Sequence, residues 1–254
     1  LITVNQLPVI DSRSEIDACH SYTLTNLSNG NYYTGPNGTG TLLQGGTVLT
    51  TSQLIYIYAN QNGCIAETNF QLNIFTINAQ QTQNISVCDS YVLPNLTGAN
   101  KYYTQPGGQY GSGTQLTNGT VITSTQTIYI FIESGGRINC TDESSFTVTI
   151  IPTPIIAAIP NVNTCNSYTL PSLPVGNYYT QPNKGGNLLN SGTVLTQNQT
   201  LYVYAETSTT PNCFDEKSFN IVIYNVDQLQ DTTICENYVL PSLNVGNYYN
   251  GPNG

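Results

Sequence analysis

Two hydrophobic patterns recur along this chain, and neither has a helical period. In the first, Phe146, Val148 and Ile150 alternate with Ser145, Thr147 and Thr149, and Phe219, Ile221 and Ile223 alternate with Ser218, Asn220 and Val222. Neighbouring side chains of a strand point to opposite faces, so this alternation predicts a strand with one buried and one largely polar side. In the second, 54–58 and 128–132 are apolar at every position. That predicts central strands covered on both sides. Turn signals fall at Gly35-Pro-Asn-Gly, Gln105-Pro-Gly-Gly, Gln181-Pro-Asn-Lys-Gly-Gly and Gly251-Pro-Asn-Gly, where proline fixes one φ and Gly or Asn permits a positive one. The chain is predicted to be all-β.

The patterns recur because the sequence repeats. Cys88-Asp-Ser-Tyr-Val-Leu-Pro, Cys165-Asn-Ser-Tyr-Thr-Leu-Pro and Cys235-Glu-Asn-Tyr-Val-Leu-Pro are near copies, and Cys19-His-Ser-Tyr-Thr-Leu-Thr is a looser one. Each is followed by a tyrosine pair: Tyr32/Tyr33, Tyr102/Tyr103, Tyr178/Tyr179 and Tyr248/Tyr249. Gly46-Thr-Val-Leu-Thr, Gly119-Thr-Val-Ile-Thr and Gly192-Thr-Val-Leu-Thr come next. A second cysteine closes each complete unit in a Cys-x-x-Glu-x-x-Phe frame, at Cys64/Glu67/Phe70, Cys140/Glu143/Phe146 and Cys213/Glu216/Phe219. Boundaries are predicted after each closing strand, giving repeats at 1–76, 77–152 and 153–225 and a partial fourth at 226–254.

Six or seven short strands per unit, with a staple between an early and a late strand, predict small immunoglobulin-like antiparallel sandwiches. The tryptophan of antibody domains is absent. The connecting segments are short, and the one at 151–160 is proline-rich and so semi-rigid. It carries Ile155, Ile156 and Ile159, and is expected to form the first strand of the third repeat, with the tandem units arranged as an elongated rod.

A unit of about 70 residues buries a marginal core and is expected to carry a covalent staple. Pairing the two cysteines of each unit, Cys19 with Cys64, Cys88 with Cys140 and Cys165 with Cys213, supplies one. Each bond would contribute roughly 4 kcal/mol in the chain-entropy model. Cys235 is then left over, its partner expected beyond Gly254, which marks the chain as a window on a longer polypeptide. Regular pairs of cysteines imply an oxidising, extracellular compartment. Only 7% of residues are charged, and the formal net charge is −9. The five cations are scattered singly, which excludes a phosphate-neutralising surface and hence nucleic acid as a partner.

Catalytic chemistry finds little support. The one imidazole, His20, stands where the other repeats have Asp89, Asn166 and Glu236. A general base would hardly occur in one copy of a repeating set. The acid pairs Asp142/Glu143 and Asp215/Glu216 recur, but the first repeat has Ala66/Glu67, which weakens a two-carboxylate hydrolase. No enzyme and no cofactor are expected. Calcium at a domain junction is the one cation these acids suggest, against the simpler reading that Glu67, Glu143 and Glu216 accept hydrogen bonds from a turn or cap a strand edge. One tyrosine of each pair should pack inside and the other lie outside. Tyr33, Tyr103 and Tyr179 are the candidates to stack on sugar rings, with cross-strand packing as the alternative.

Taken together, the run Cys-Asp-Ser-Tyr-x-Leu-Pro, Gly-Asn-Tyr-Tyr-Thr, Gly-Thr-Val-Ile-Thr, Thr-Ile-Tyr-Ile-Phe and Asn-Cys-Thr-Asp-Glu-x-Ser-Phe resembles the repeats of the very large cell-surface adhesins of gliding Bacteroidota, exported by the type IX secretion system. The match covers essentially the whole chain. The resemblance implies a filamentous protein at the outer-membrane surface, moved by the gliding machinery and attaching to the substratum or to surface glycans. It also implies O-glycosylation at Asp-Ser/Thr-(aliphatic or Thr) sites, for which Thr232 in Asp231-Thr232-Thr233 is the candidate. The leading expectation is a non-enzymatic stalk that works through length and many weak contacts. The alternatives are a glycan-binding array using the outward tyrosines and an accessory region of a secreted hydrolase.

Overall fold

The computed structural model describes residues 4–227 and 229–252. The first repeat contributes seven strands: β1 (Ile16–Cys19), β2 (Tyr22–Thr23), β3 (Asn31–Tyr33), β4 (Leu42–Leu43), β5 (Val48–Leu49), β6 (Gln53–Gln61) and β7 (Cys64–Phe75). They form a five-stranded sheet of order β1-β7-β6-β3-β4 and a two-stranded sheet of β2 and β5. The first strand runs parallel to the last, with Ile16 opposite Leu72 and Cys19 opposite Phe75. The other pairings are antiparallel.

The same order returns twice. The second repeat has β8 (Ile85–Cys88), β9 (Tyr91–Val92), β10 (Lys101–Tyr103), β11 (Gln115–Leu116), β12 (Val121–Ile122), β13 (Gln126–Glu133) and β14 (Thr141–Ile151). The third has β15 (Val162–Cys165), β16 (Tyr168–Thr169), β17 (Asn177–Gln181), β18 (Gly185–Leu189), β19 (Val194–Leu195), β20 (Gln199–Glu206) and β21 (Phe214–Tyr224). Their sheets are β11-β10-β13-β14-β8 with β9-β12, and β15-β21-β20-β17-β18 with β16-β19. Seven strands split between two facing sheets make each repeat an immunoglobulin-like sandwich. By contacts the chain divides into two compact units, Leu1–Ile85 with Ser90–Thr149, and Ser86–Asp89 with Ile150–Gly254.

The repeated landmarks are the parts of this sandwich. Leu24, Leu93 and Leu170 of the Tyr-x-Leu segment are each 1% exposed. Their amides bond to Thr47, Thr120 and Thr193 of the facing Gly-Thr-Val segment. The glycine there holds a positive φ, 91° at Gly46, 83° at Gly119 and 85° at Gly192, which admits the chain to the short strand. In the three complete repeats the first tyrosine of the pair lies inside, at 1–3% exposure for Tyr32, Tyr102 and Tyr178. Each meets the phenylalanine of the Cys-x-x-Glu-x-x-Phe frame, with centroids 6.2 Å apart for Tyr32–Phe70, 6.4 Å for Tyr102–Phe146 and 6.1 Å for Tyr178–Phe219. The buried hydroxyl needs an acceptor. Pro94 and Pro171 carbonyls supply it at 3.2 Å.

Two expectations change. The apolar strand at 54–58 is not covered on both sides: Ile55 and Ile57 are fully buried in the core, whereas Leu54 on the other side is 38% exposed; at 128–132 Ile128 and Ile130 face the core and Phe131 on the other side is covered too, at 5% exposure. The outer rings of Tyr58 and Phe131 pack edge-on against Tyr33 and Tyr103, so apolar residues at every position do not require a second sheet. The proline-rich segment at 151–160 buries Ile156 but forms no strand beyond Ile151, and the third repeat starts its sheet at Val162. Pro152, Pro154 and Pro160 lack the amide hydrogens that a ladder needs.

Candidate binding surface and repeat junctions

The cysteines do not pair within repeats. Cys19 bonds Cys140 and Cys88 bonds Cys213, with Cα–Cα separations of 5.4 and 5.7 Å, while Cys64, Cys165 and Cys235 are free. The expected Cys19–Cys64, Cys88–Cys140 and Cys165–Cys213 pairs are ruled out by strand geometry. Cys19 lies opposite Phe75 at the end of β7, but Cys64 opens that same strand. At about 3.3 Å per residue the two are about 36 Å apart, against the roughly 7 Å limit for a disulfide. Cys165 opposite Tyr224 and Cys213 before Phe214 repeat the arrangement. The first cysteine of each repeat lies at one end of the closing strand and the second at the other, so a first cysteine reaches only the second cysteine of the repeat that follows.

The residue after the first cysteine turns the chain from one sheet into the other. His20, Asp89 and Asn166 all have positive φ, at 63°, 59° and 68°. Their amides bond the carbonyls of Phe75, Ile151 and Tyr224. The left-handed region favours Asn, Asp and His among residues with a Cβ, which explains His20, Asp89 and Asn166 at this position and gives His20 a backbone role. Its Nε2 also lies 3.4 Å from the Thr141 carbonyl, beside the Cys19–Cys140 bond. Arg137 pairs there with Asp17 and, at 3.2 Å, with Glu15. Hydrogen bonds from Asn73 and Arg137 hold the Asp17 carboxyl below its usual range.

At the second junction Asp89 accepts from the Thr153 amide at 2.8 Å and its hydroxyl at 2.7 Å, and these bonds lower the Asp89 pKa. Asp215 is lowered in the same way, chiefly by the Ile156 amide at 2.9 Å. A carboxyl depressed on folding contributes stability that is complete above its unfolded value, about 3.8, and is lost as pH falls through the folded value. The bonds that Asp89 and Asp215 make within the second unit should therefore be kept at neutral pH and weaken below about pH 4. Asp89→Asn should flatten that acid limb in a melting-temperature titration.

The recurrent acids have structural partners. Glu67 accepts from the Asn37 amide, Glu143 from Gly107 at 2.7 Å and Glu216 from Asn183 at 2.6 Å, in each case the residue after the proline of the turn. Asp142 accepts from the Ala79 amide at 2.7 Å. Asp142 and Glu143 are neighbours in one strand and serve opposite faces, each accepting from a backbone amide. No group of three or more metal-ligating side chains gathers among the described residues. Glu143→Ala should cost about 1 kcal/mol, the scale of one lost hydrogen bond, read as a lower denaturant midpoint.

In the three complete repeats the second tyrosine of the pair is on the outer side of the large sheet, with different outcomes. Tyr103 is 2% exposed, so it cannot stack on a ligand. The turn at 107–111 lies across it: Tyr103 and Tyr110 both pack edge-on to Phe131, at 6.0 and 6.1 Å. A Cβ on Gly108 would come within 2.2 Å of the Phe131 ring, at a φ of +53°. Gly108→Ala should therefore lift this turn and raise tyrosine fluorescence quenching by added iodide.

Tyr33 remains half-buried against Tyr58 at 5.9 Å. Tyr179 is half-buried beside Tyr204 at 6.3 Å, and Phe214 stacks on Tyr204 at 5.4 Å. Here an open groove of about 300 Å³ is lined by Pro154, Val175, Tyr179, Lys184, Tyr204 and Glu206. Lys184 lies 5.2 Å over the Tyr204 ring and pairs with Glu206. That pairing raises the lysine pKa and lowers the glutamate's, while burial raises that of Tyr204. Lys184 and Glu206 were not singled out by the sequence, since only the fold brings them to one rim. Thr232 is exposed.

No family model matches the chain, and no curated protein matches it. Among solved structures, the I67–I69 fragment of titin in an E-to-A variant is similar over 85% of this chain and 98% of its own, at 12% identity and a TM-score of 0.37. Drosophila OTK extracellular domains 3–5 match over 86% of this chain and 96% of their own, at 10% identity and a TM-score of 0.32. The N-terminal eight Ig domains of Down Syndrome Cell Adhesion Molecule match over 89% of this chain and 38% of their own, at 11% identity and a TM-score of 0.30.

Proposed function

We propose that this chain is a non-enzymatic, extracellular repeat region of a large surface adhesin, of the kind used for attachment and gliding by Bacteroidota and exported by the type IX system. The observation that carries this reading is the use of the repeated residues. Cysteines join successive sandwiches, recurrent carboxylates cap turns and anchor connecting segments, and the lone imidazole sits at a backbone turn. What repeats is the machinery of mechanical continuity. Disulfides between successive repeats suit an oxidising exterior. A surface with few charges keeps its contacts in varying salt, and many weak contacts in series give avidity. Thr232, exposed in its Asp-Thr-Thr setting, is the proposed O-glycan acceptor. An antibody against 77–225 should label intact producing cells and track along them during gliding; labelling only after permeabilisation would refute the assignment.

A second reading, glycan recognition, has one observation in its favour: the groove with the half-buried Tyr179 ring in its lining and the charged pair Lys184/Glu206 at its rim. Aromatic faces and polar rims suit sugar rings. Binding on a glycan array that falls at least tenfold with Tyr179→Ala would support it, and no binding to any glycan would remove it.

A further inference from the structure

We propose that the two disulfides are rungs of a continuing ladder, and that Cys165 is the half-built next rung, whose occupant is a further repeat of this same design. The end of the third sandwich is built like the two that are bonded. Cys165 sits opposite Tyr224 as Cys19 sits opposite Phe75, and the same left-handed residue follows, φ 68° at Asn166 against 63° at His20. Ser21 and Ser167 close the same short turn onto the cysteine carbonyl, at 2.6 and 2.8 Å. The two equivalent cysteines are bonded, whereas Cys165 is exposed and free.

The complementary half is equally defined. Cys140 and Cys213 are both 1% exposed and are held by the ends of the loop before them. The Cys140 amide donates to Ser134 Oγ at 3.0 Å and accepts in return, through its carbonyl, the Ser134 amide at 2.9 Å; Cys213 and Thr207 do the same at 2.9 Å each. A cysteine opening the last strand of a following repeat would meet Cys165 in this setting.

The bond forms by exchange with a small disulfide such as oxidised glutathione. The Cys165 thiolate attacks it, releasing one glutathione thiolate, and the incoming cysteine thiolate then displaces the second. One S–S bond is replaced by another, and the two protein protons end on two glutathione thiols.

A ladder of this connectivity has two covalent tracks. One runs from Cys19 across to Cys140, along β14 and through 152–161 to β15 and Cys165. The other runs from Cys64 along β7 and through 76–84 to β8, then from Cys88 across to Cys213 and along β21. The strands on these tracks already stand at about 3.3 Å per residue, close to the 3.3–3.6 Å maximum of a stretched chain. Tension therefore passes through first and last strands joined by disulfides. The segments 20–63, 89–139 and 166–212, which hold the tyrosine pairs, hang off the loaded tracks and stay folded while the array is pulled.

The test is a five-repeat chain in which residues 1–225 are followed by a second copy of 77–225, expressed under oxidation with glutathione and digested without reduction. The expected result is a linked peptide joining Cys165 to the Cys140 of the added copy. In the same chain Cys165→Ser should leave that added Cys140 as a free thiol, with Cys19–Cys140 and Cys88–Cys213 unchanged. Cys165 recovered as a free thiol, or bonded to Cys213 of its own repeat, would overturn the ladder.

Discussion

Replacing Cys88 by serine should free the thiol of Cys213 and leave Cys140 bonded. The bond removed closes a sequence separation of 125 residues. In the chain-entropy model its loss costs about 5 kcal/mol, a large part of the 5–15 kcal/mol that stabilises a typical folded domain. The effect should be local to the two repeats it joins, because Cys19–Cys140 has a different pair of partners. Alkylation of the variant with a mass-tagged reagent identifies the released cysteine. Had the bonds lain within repeats, the same substitution would free Cys140, and the label would appear there.

Tyr102→Ala should be among the most destabilising single changes in the second repeat, by roughly 3–5 kcal/mol, the range for truncating a large buried aromatic side chain. The ring is 1% exposed and packed edge-on to Phe146. Tyr102→Phe keeps that packing and loses only the bond to the Pro94 carbonyl, so about 1 kcal/mol is expected. Burial already raises the Tyr102 pKa, since its phenolate would be charged inside the core. By contrast Tyr33→Ala, at a half-buried outer position, should cost less than Tyr102→Ala. Denaturant midpoints of the three variants check the order, and equal losses at Tyr33 and Tyr102 would contradict the assignment of inner and outer rings.

Much of the sandwich was legible because its landmarks are local. The alternation at 145–150 located a closing strand, the proline motifs at 35–38, 105–108 and 181–186 located turns with positive φ, and adjacency in the Tyr-Tyr pairs put one ring inside. Of the two simpler readings of Glu67, Glu143 and Glu216, accepting from a turn and capping a strand edge, the structure shows the first. The disulfide pairing was not legible, because spacing along the chain says nothing about which end of a strand a cysteine occupies. That needed the parallel pairing of first and last strands, and parallel pairs leave no short-range signal such as a hairpin turn. Tyr103 was misread for a related reason. The turn that covers it depends on Gly108 lying against Phe131, a contact between residues 23 positions apart. The groove rim at Lys184 and Glu206 likewise joins strands β17–β18 and β20 through a fold-level contact.

The most direct test of bonding between repeats is a thiol count on the native, oxidised 254-residue chain, with each labelled cysteine placed by mass. Three reactive thiols are predicted, at Cys64, Cys165 and Cys235, with Cys19–Cys140 and Cys88–Cys213 recovered as linked peptides. A single reactive thiol at Cys235, with Cys19 linked to Cys64, would contradict the account.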